Sequence, residues 1–295
     1  MSGGSPAAPV RAAEVPAVKM GCVTHLPEPP GLVACDLDGT LLRTDLTVSP
    51  RTLAALDTLA ASGVPFVMVT GRPSRWMGPV LAQTGLRGPI VCANGAVVLD
   101  PATGETLAQW PIEPDRLEEI TRRLREAVPG ISFAAEYGDL LIREHDYPTR
   151  LDDHRDDVRV GTWAEIVSRP VPKLLGRLPD MDADLLLARA DAAIEGLATP
   201  THSSFMGLVE ISAAGVTKAT GLAYVAEQYG VDPVDVVAFG DMPNDIPMLE
   251  WAGRGIVVGN AHPAARAAAT GATARNDDDG VAVHLERLLG LTSPA

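Results

Sequence analysis

Gly31-Leu32-Val33-Ala34-Cys35-Asp36-Leu37-Asp38-Gly39-Thr40-Leu41-Leu42 is a short apolar run that ends in two carboxylates one residue apart, followed by a glycine. A buried strand with paired acids at its end places them where open α/β sheets bind ligands, beyond the carboxyl ends of the strands and beside the N–H groups of the turn. Two carboxylates this close repel unless something positive lies between them, and hard oxygen donors suit magnesium. The same residues also fit a plain Asx-type turn, in which Asp36 and Asp38 cap backbone N–H groups, or a calcium-type loop. What else the chain brings to its strand ends decides between these readings.

The chain has 295 residues, is 46% hydrophobic and carries a net charge of −14. It can bury a substantial core as one large or two ordinary domains. With no sustained Lys/Arg stripe to offset it, the negative balance excludes nucleic acid and an acidic membrane surface as partners. Phosphate-bearing small molecules stay open, because they need only a metal and one or two cations as a local focus. Cys22, Cys35 and Cys92 cannot form a closed disulfide set, and two of them lie in apolar, strand-like runs. Reduced, buried thiols in a cytoplasmic protein follow from that usage. Residues 1–29 are rich in Pro, Ala, Gly and Val without the apolar core of a signal peptide, and read as a disordered leader in which Met20 offers a second start. No run of about 18 apolar residues predicts a transmembrane helix.

Beyond the acidic turn, Ser49 and Pro50 form an N-cap and N1 pair, Leu53, Leu56 and Leu59 recur at helical spacing, and Gly63 closes the helix. A strand at 66–69 ends in Thr70-Gly71-Arg72-Pro73, and another at 90–93 ends in Asn94-Gly95. This βαβαβ grammar, with polar residues at each strand's C-terminal end, predicts a parallel doubly wound sheet. From about 96 to 201 the grammar changes to short strands (96–99, 131–136, 140–143, 171–178) mixed with amphipathic helices at 115–128 and 182–195, which predicts an inserted α+β unit. Its polar stretch 152–157 reads as a solvated loop. The parallel grammar resumes with Leu208-Val209-Glu210-Ile211, a helix from Lys218 to Tyr229, a strand ending at Gly240-Asp241, and another ending at Gly259-Asn260.

The ordered set DLDGTLL at 36–42, VTGR at 69–72, ANGA at 93–96, GVTK at 215–218, GDMPND at 240–245 and NDDDGVA at 276–282 resembles the haloacid dehalogenase (HAD) superfamily. Within it the chain is most similar to the Cof-type phosphatases, whose class IIB cap follows the second motif. The likeness spans about residues 31–290. It implies a Rossmann-like core from 30–96 and 202–295, an inserted cap at 97–201, and a magnesium-dependent phosphatase of a small phosphorylated metabolite working through an aspartyl-phosphate. By the same resemblance Asp36 is the nucleophile and Asp38 the proton carrier. Magnesium falls to Asp36, Asp241 and the backbone carbonyl of Asp38, with Asp245 supporting the metal or orienting Lys218. Thr70, Gly71, Lys218 and Asn244 hold the phosphoryl oxygens.

Other residues have two readings. Arg72 contacts substrate or braces its turn, and Asn94 touches the ligand or serves only as a turn residue. Cys35 points into the core, Asn260 matches a position near the site, and Glu136, Arg143, His145, Tyr147 and His202 are candidate cap contacts. A phosphosugar mutase shares the fold but transfers the phosphoryl group between hydroxyls of one sugar. A receiver-like module shares the acids, Thr, Lys and magnesium, yet needs neither a second acid like Asp38 nor a cap.

Overall fold

A computed structural model describes residues 29–148, 157–204 and 206–291. Residues 1–28 of the leader, with Met20 and Cys22, and residues 152–156 of the polar stretch lie outside them. The first part of the chain forms β1 (Leu32–Cys35), α1 (Pro50–Ala61), β2 (Phe66–Val69), α2 (Gly78–Thr84), β3 (Ile90–Cys92), β4 (Val97–Leu99) and β5 (Thr106–Gln109). The middle forms α3 (Pro114–Ala127), β6 (Ser132–Glu136), β7 (Leu141–Arg143), β8 (Val158–Val160), α4 (Trp163–Ile166), β9 (Lys173–Asp182), α5 (Ala183–Ile194), β10 (Ala198–Thr201) and β11 (Met206–Ala213). The last part forms α6 (Lys218–Tyr229), β12 (Val236–Gly240), α7 (Ile246–Trp251), β13 (Arg254–Val257), α8 (Pro263–Ala268), β14 (Gly271–Ala272) and α9 (Gly280–Leu288). Among the described residues no helix is long and apolar enough to cross a membrane.

The larger sheet has the order β14-β13-β12-β1-β2-β3-β4-β5. From β14 through β3 every pairing is parallel, and β4 and β5 close the edge antiparallel. A parallel strand covered by helices on both faces has no polar side, which is why β1 is apolar at every position and fully buried. Val33 and Cys35 pack on one face with Leu56 and Leu59 of α1 and Leu285 of α9. Leu32 and Ala34 pack on the other with Leu222 and Val225 of α6 and Met248 and Leu249 of α7.

The second sheet, β10-β11-β9-β6-β7-β8, carries α3 and α5 on one face, where Leu117, Ile120, Leu124, Leu186 and Ile194 meet Phe133, Leu174, Val209 and Ile211. The two sheets divide the chain differently from the 97–201 boundaries. β4 and β5 pair onto the larger sheet, so the crossing comes near Ile112, where a bridge to Val171 pins it. β11 pairs with β9 and β10, so the return comes after Ala213 rather than before 202. Short apolar runs such as Val97-Val98-Leu99 and Leu208-Val209 suit either sheet, and pairing partners are not encoded in periodicity.

The strand-end turn after β3 is left-handed over three successive residues, Ala93, Asn94 and Gly95, at φ of 51°, 55° and 95°. At Gly95 a Cβ would overlap the carbonyl of Thr217, the residue before α6. The glycine therefore lets the start of α6 lie directly against the turn. Replacing Gly95 by alanine should cost about 2–4 kcal/mol in urea denaturation. The matching change at Gly104, also at positive φ but with open space beside it, should cost about 1 kcal/mol.

Candidate active site

β1 delivers Asp36, whose N–H donates to the Phe239 carbonyl at 2.9 Å, so the ladder to β12 runs on through the aspartate and fixes its direction. The chain then turns sharply, with the Leu42 N–H donating to the Leu37 carbonyl at 2.8 Å. Gly39 makes the turn possible: its φ is 79°, and a Cβ there would run into the Asp241 carboxylate. Asn260 braces the loop, donating to the Gly39 carbonyl at 2.8 Å and accepting the Asn276 N–H at 3.0 Å. The 276–282 motif has a similar task. Asn276 donates to the Leu42 carbonyl at 3.0 Å, Asp277 accepts from the Thr44 N–H at 2.8 Å, and Asp279 pairs with Arg43 at 2.6 Å.

β12 delivers Asp241, and the 3-10 turn behind it delivers Asp245. Asp245 Oδ2 accepts the N–H groups of Asp241 and Met242, both at 2.9 Å. Its Oδ1 accepts the Lys218 ammonium at 2.6 Å, and the same ammonium donates to Asp36 Oδ1 at 2.5 Å. Asp241 Oδ1 accepts the Thr40 hydroxyl at 2.9 Å. Asp36, Asp241 and Asp245 are all buried and offer ligand oxygens within 4.8 Å of one another.

Asp38 stands apart from this cluster. Its carboxylate leaves the strand direction in the turn and is gripped by Arg72 through two hydrogen bonds, of 2.7 and 2.5 Å, with the Asp38 side chain 49% exposed. The Asp38 side chain is therefore not one of the three buried carboxylates that come together. Thr70, fully buried, accepts the Arg72 N–H on its hydroxyl at 3.0 Å. Asn94 Oδ1 accepts from Asn244 Nδ2 at 3.0 Å, and the Gly71 carbonyl accepts the Lys173 ammonium at 2.6 Å. Thr70, Gly71, Asn94 and Asn244 therefore meet around one turn. Cys35 lies in the core, its thiol pushed well up by burial and then by the negative Asp36.

The cap candidates separate. Glu136 reaches the core and pairs with Arg75, which also holds Asp157 at 2.6 Å. Arg143 donates to the carbonyls of Glu144 and His145, and His145 is exposed beside Asp146 at 2.8 Å. Tyr147 is buried against Ala134 and Leu141. His202 is buried, bonds to Asp184 at 2.8 Å and stacks edge-on against His262, 5.8 Å between ring centres. Arg75, Lys173 and Glu210, which bring the cap onto the strand-end turns, were not among the sequence candidates. The signal available for two of them was a charged residue set within an apolar strand run, as in Lys173-Leu174-Leu175 and Val209-Glu210-Ile211.

The electrostatics are those of an excess of negative charge. Burial opposes the charge on Lys218, but Asp245 and Asp36 outweigh it and raise the ammonium above its ordinary range. Burial, then the repulsion of Asp245 and Asp241, pushes Asp36 well above the usual carboxylate range despite the pull of Lys218. Burial and the charge of Asp245 push Asp241 up to about 7. One ammonium does not balance three buried carboxylates, and hard oxygen donors with surplus negative charge are the chemistry of a divalent cation site.

A haloacid dehalogenase-like hydrolase family matches residues 33–285. The 5-amino-6-(5-phospho-D-ribitylamino)uracil phosphatase YitU of Bacillus subtilis is 32% identical over 89% of this chain and 98% of its own. The pyridoxal phosphate phosphatase YbhA of Escherichia coli is 28% identical over 85% and 96%. A solved HAD subclass IIB sugar phosphatase superposes with a TM-score of 0.76 at 20% identity, covering 88% of this chain and 99% of that one.

A protonated Asp241 in the fold and an ionised one in the unfolded chain make stability fall as pH rises from about 4 to about 7. Asp241→Asn removes that loss while keeping an acceptor for Thr40. Without divalent metal, the variant should be more stable than the parent chain in urea at pH 8, with the difference gone below about pH 4.

Proposed function

This chain belongs to the haloacid dehalogenase-like hydrolases, and from that premise we propose a magnesium-dependent phosphatase that hydrolyses a small phosphorylated metabolite through an aspartyl-phosphate. The observation that carries the reading is the buried set of Asp36, Asp241 and Asp245 around Lys218, with Asp38 held outside it. A monoester resists attack because its oxygens repel an anionic nucleophile, so positive charge must meet those oxygens while the nucleophile is held in line.

Lys218 on Oδ1 fixes the Asp36 carboxylate, whose oxygen attacks phosphorus as the ester P–O bond breaks. Asp38 protonates the departing alkoxide, then takes a proton from the water that attacks the aspartyl-phosphate, releasing phosphate and restoring the Asp36 carboxylate. Both Asp38 oxygens now accept from Arg72, which is the base-ready arrangement. Acid duty requires that fork to let go of one oxygen, and an arriving phosphoryl group offers the guanidinium another bidentate partner. The Thr70 hydroxyl, the Gly71 backbone and Asn244 supply further donors around the phosphoryl group.

Magnesium would be held by Asp36 and Asp241 with Asp245 behind them, and when bound it supplies charge neutralisation for the transferring group. The surplus of carboxylate over ammonium supports that fit, since a bound cation lowers the proton affinity of Asp36 and Asp241.

A phosphate-release screen should find activity among sugar phosphates, nucleotides, pyridoxal phosphate, flavin mononucleotide and ribitylaminouracil phosphate. Asp36→Asn should lower kcat by about 10⁴-fold or more with the fold intact by circular dichroism, and substantial residual turnover would exclude it as nucleophile. EDTA should stop phosphate release and magnesium restore it. Magnesium should also raise the melting temperature of the parent chain and not of Asp241→Asn.

A further inference from the structure

One rung of the cap sheet reaches the core turn that follows β2. Lys173 of β9 and Glu136 of β6 are direct cross-strand partners. The first donates to the Gly71 carbonyl at 2.6 Å and the second pairs with Arg75, so one rung grips both ends of the 71–75 segment. Glu210 of β11 stands behind Lys173 at 2.7 Å and also accepts the Ser203 hydroxyl at 2.6 Å. The pair is buried, with side-chain exposures of 5% and 4%. Burial alone would raise Glu210, yet Lys173 holds it below the ordinary carboxylate range. Beside Gly71, where a Cβ would stand, lie Asn94 Oδ1 at 3.0 Å, Glu210 Oε1 at 3.6 Å and Asn244 Nδ2 at 3.7 Å.

Burying an ion pair is costly and gives weak stabilisation, so a contact of this kind is better explained by what it fixes. Here it fixes a carbonyl in the turn between Thr70 and Arg72. We propose that Lys173, held by Glu210, is a positioning residue of the cap that sets the Thr70-Gly71-Arg72 turn, and through it the donors offered to the phosphoryl group and the grip of Arg72 on Asp38. The proposal rests on the phosphatase reading above and gives the cap a task in phosphoryl binding that is independent of the leaving group.

The test compares Lys173→Met with the double variant Lys173→Met/Glu210→Gln. The single change leaves a buried carboxylate without its cation and should lower stability, and the double change should recover much of it. Both should lower kcat/KM by about 10- to 100-fold, by a similar factor for every monoester, and weaken binding of inorganic phosphate. Recovery of parental kcat/KM and phosphate binding in the double variant would overturn the proposal and leave the pair a structural contact. So would a loss confined to certain leaving groups with phosphate binding unchanged. Should the single variant not fold, the double variant carries the same comparison. A parent chain that released phosphate from no monoester would strike the phosphatase reading, and titration of inorganic phosphate into parent and double variant would still decide this one.

Discussion

The ammonium of Lys218 between Asp36 and Asp245 is the contact on which the rest of the site is arranged. A buried lysine without partners would cost several kcal/mol, and at the first position of a helix it also works against the helix dipole. Both penalties are met by the two carboxylates, one at the end of β1 and the other in the 3-10 turn that follows the neighbouring strand β12. The arrangement in turn dictates where α6 begins. Its first residue must lie over the ends of β1 and β12, which requires the left-handed turn at Ala93, Asn94 and Gly95 to leave room for Thr217. The Thr217 N–H donates to Thr220 Oγ1 at 3.1 Å, closing that end of the helix locally.

The four acids of the site differ in what already holds them. Asp245 accepts two backbone N–H groups and the ammonium, and has become part of the strand-end architecture. Asp36 has one oxygen on Lys218, Asp241 one on Thr40. Asp38 is outside, half exposed and bound to Arg72. Residue types alone do not distinguish these four. The distinction comes from the turn at Leu37 to Gly39, which ends the strand alternation and sends Asp38 away from Asp36.

Much of this was legible in the sequence because parallel strands buried on both faces leave their polar residues only at the ends. Thr70, Asn94, Asp241 and Asp245 each follow or precede an apolar run; Lys218, Asp241 and Asp245 lie in one cluster with Asp36, and Thr70 and Asn94 share a turn with Asn244. The cap was legible as a change of grammar, but its edges were not. β4 and β5 are short strands of the kind the insertion also uses, and β11 reads as a resumed core strand because Leu208-Val209-Glu210-Ile211 alternates weakly. β4 joins the larger sheet by folding back on β3, Cys92 against Val97, and β11 joins the cap sheet by pairing across 35 residues, Glu210 with Leu175; apolar periodicity records neither choice. Lys173 and Glu210 are hidden in the sequence for a related reason: a charge in a strand reads as solvent-facing until another part of the chain covers it.

A net charge of −14 on a chain of this family raises the question of how it admits an anion. Near the strand-end turns the positive groups are Lys218, Arg72, Arg75 and Lys173, each already spoken for by a carboxylate or carbonyl. Arg72 is the one whose partner, Asp38, is half exposed, and on the phosphatase reading it is the cation that an incoming phosphoryl group would draw at least cost. The other three are bound to buried carboxylates. On that reading the phosphoryl site is separate from the choice of leaving group. On the proposed reading, a chain of this fold would change its leaving group through cap positions that do not touch residues 71–75 while the rung of Lys173 and Glu136 stays in place.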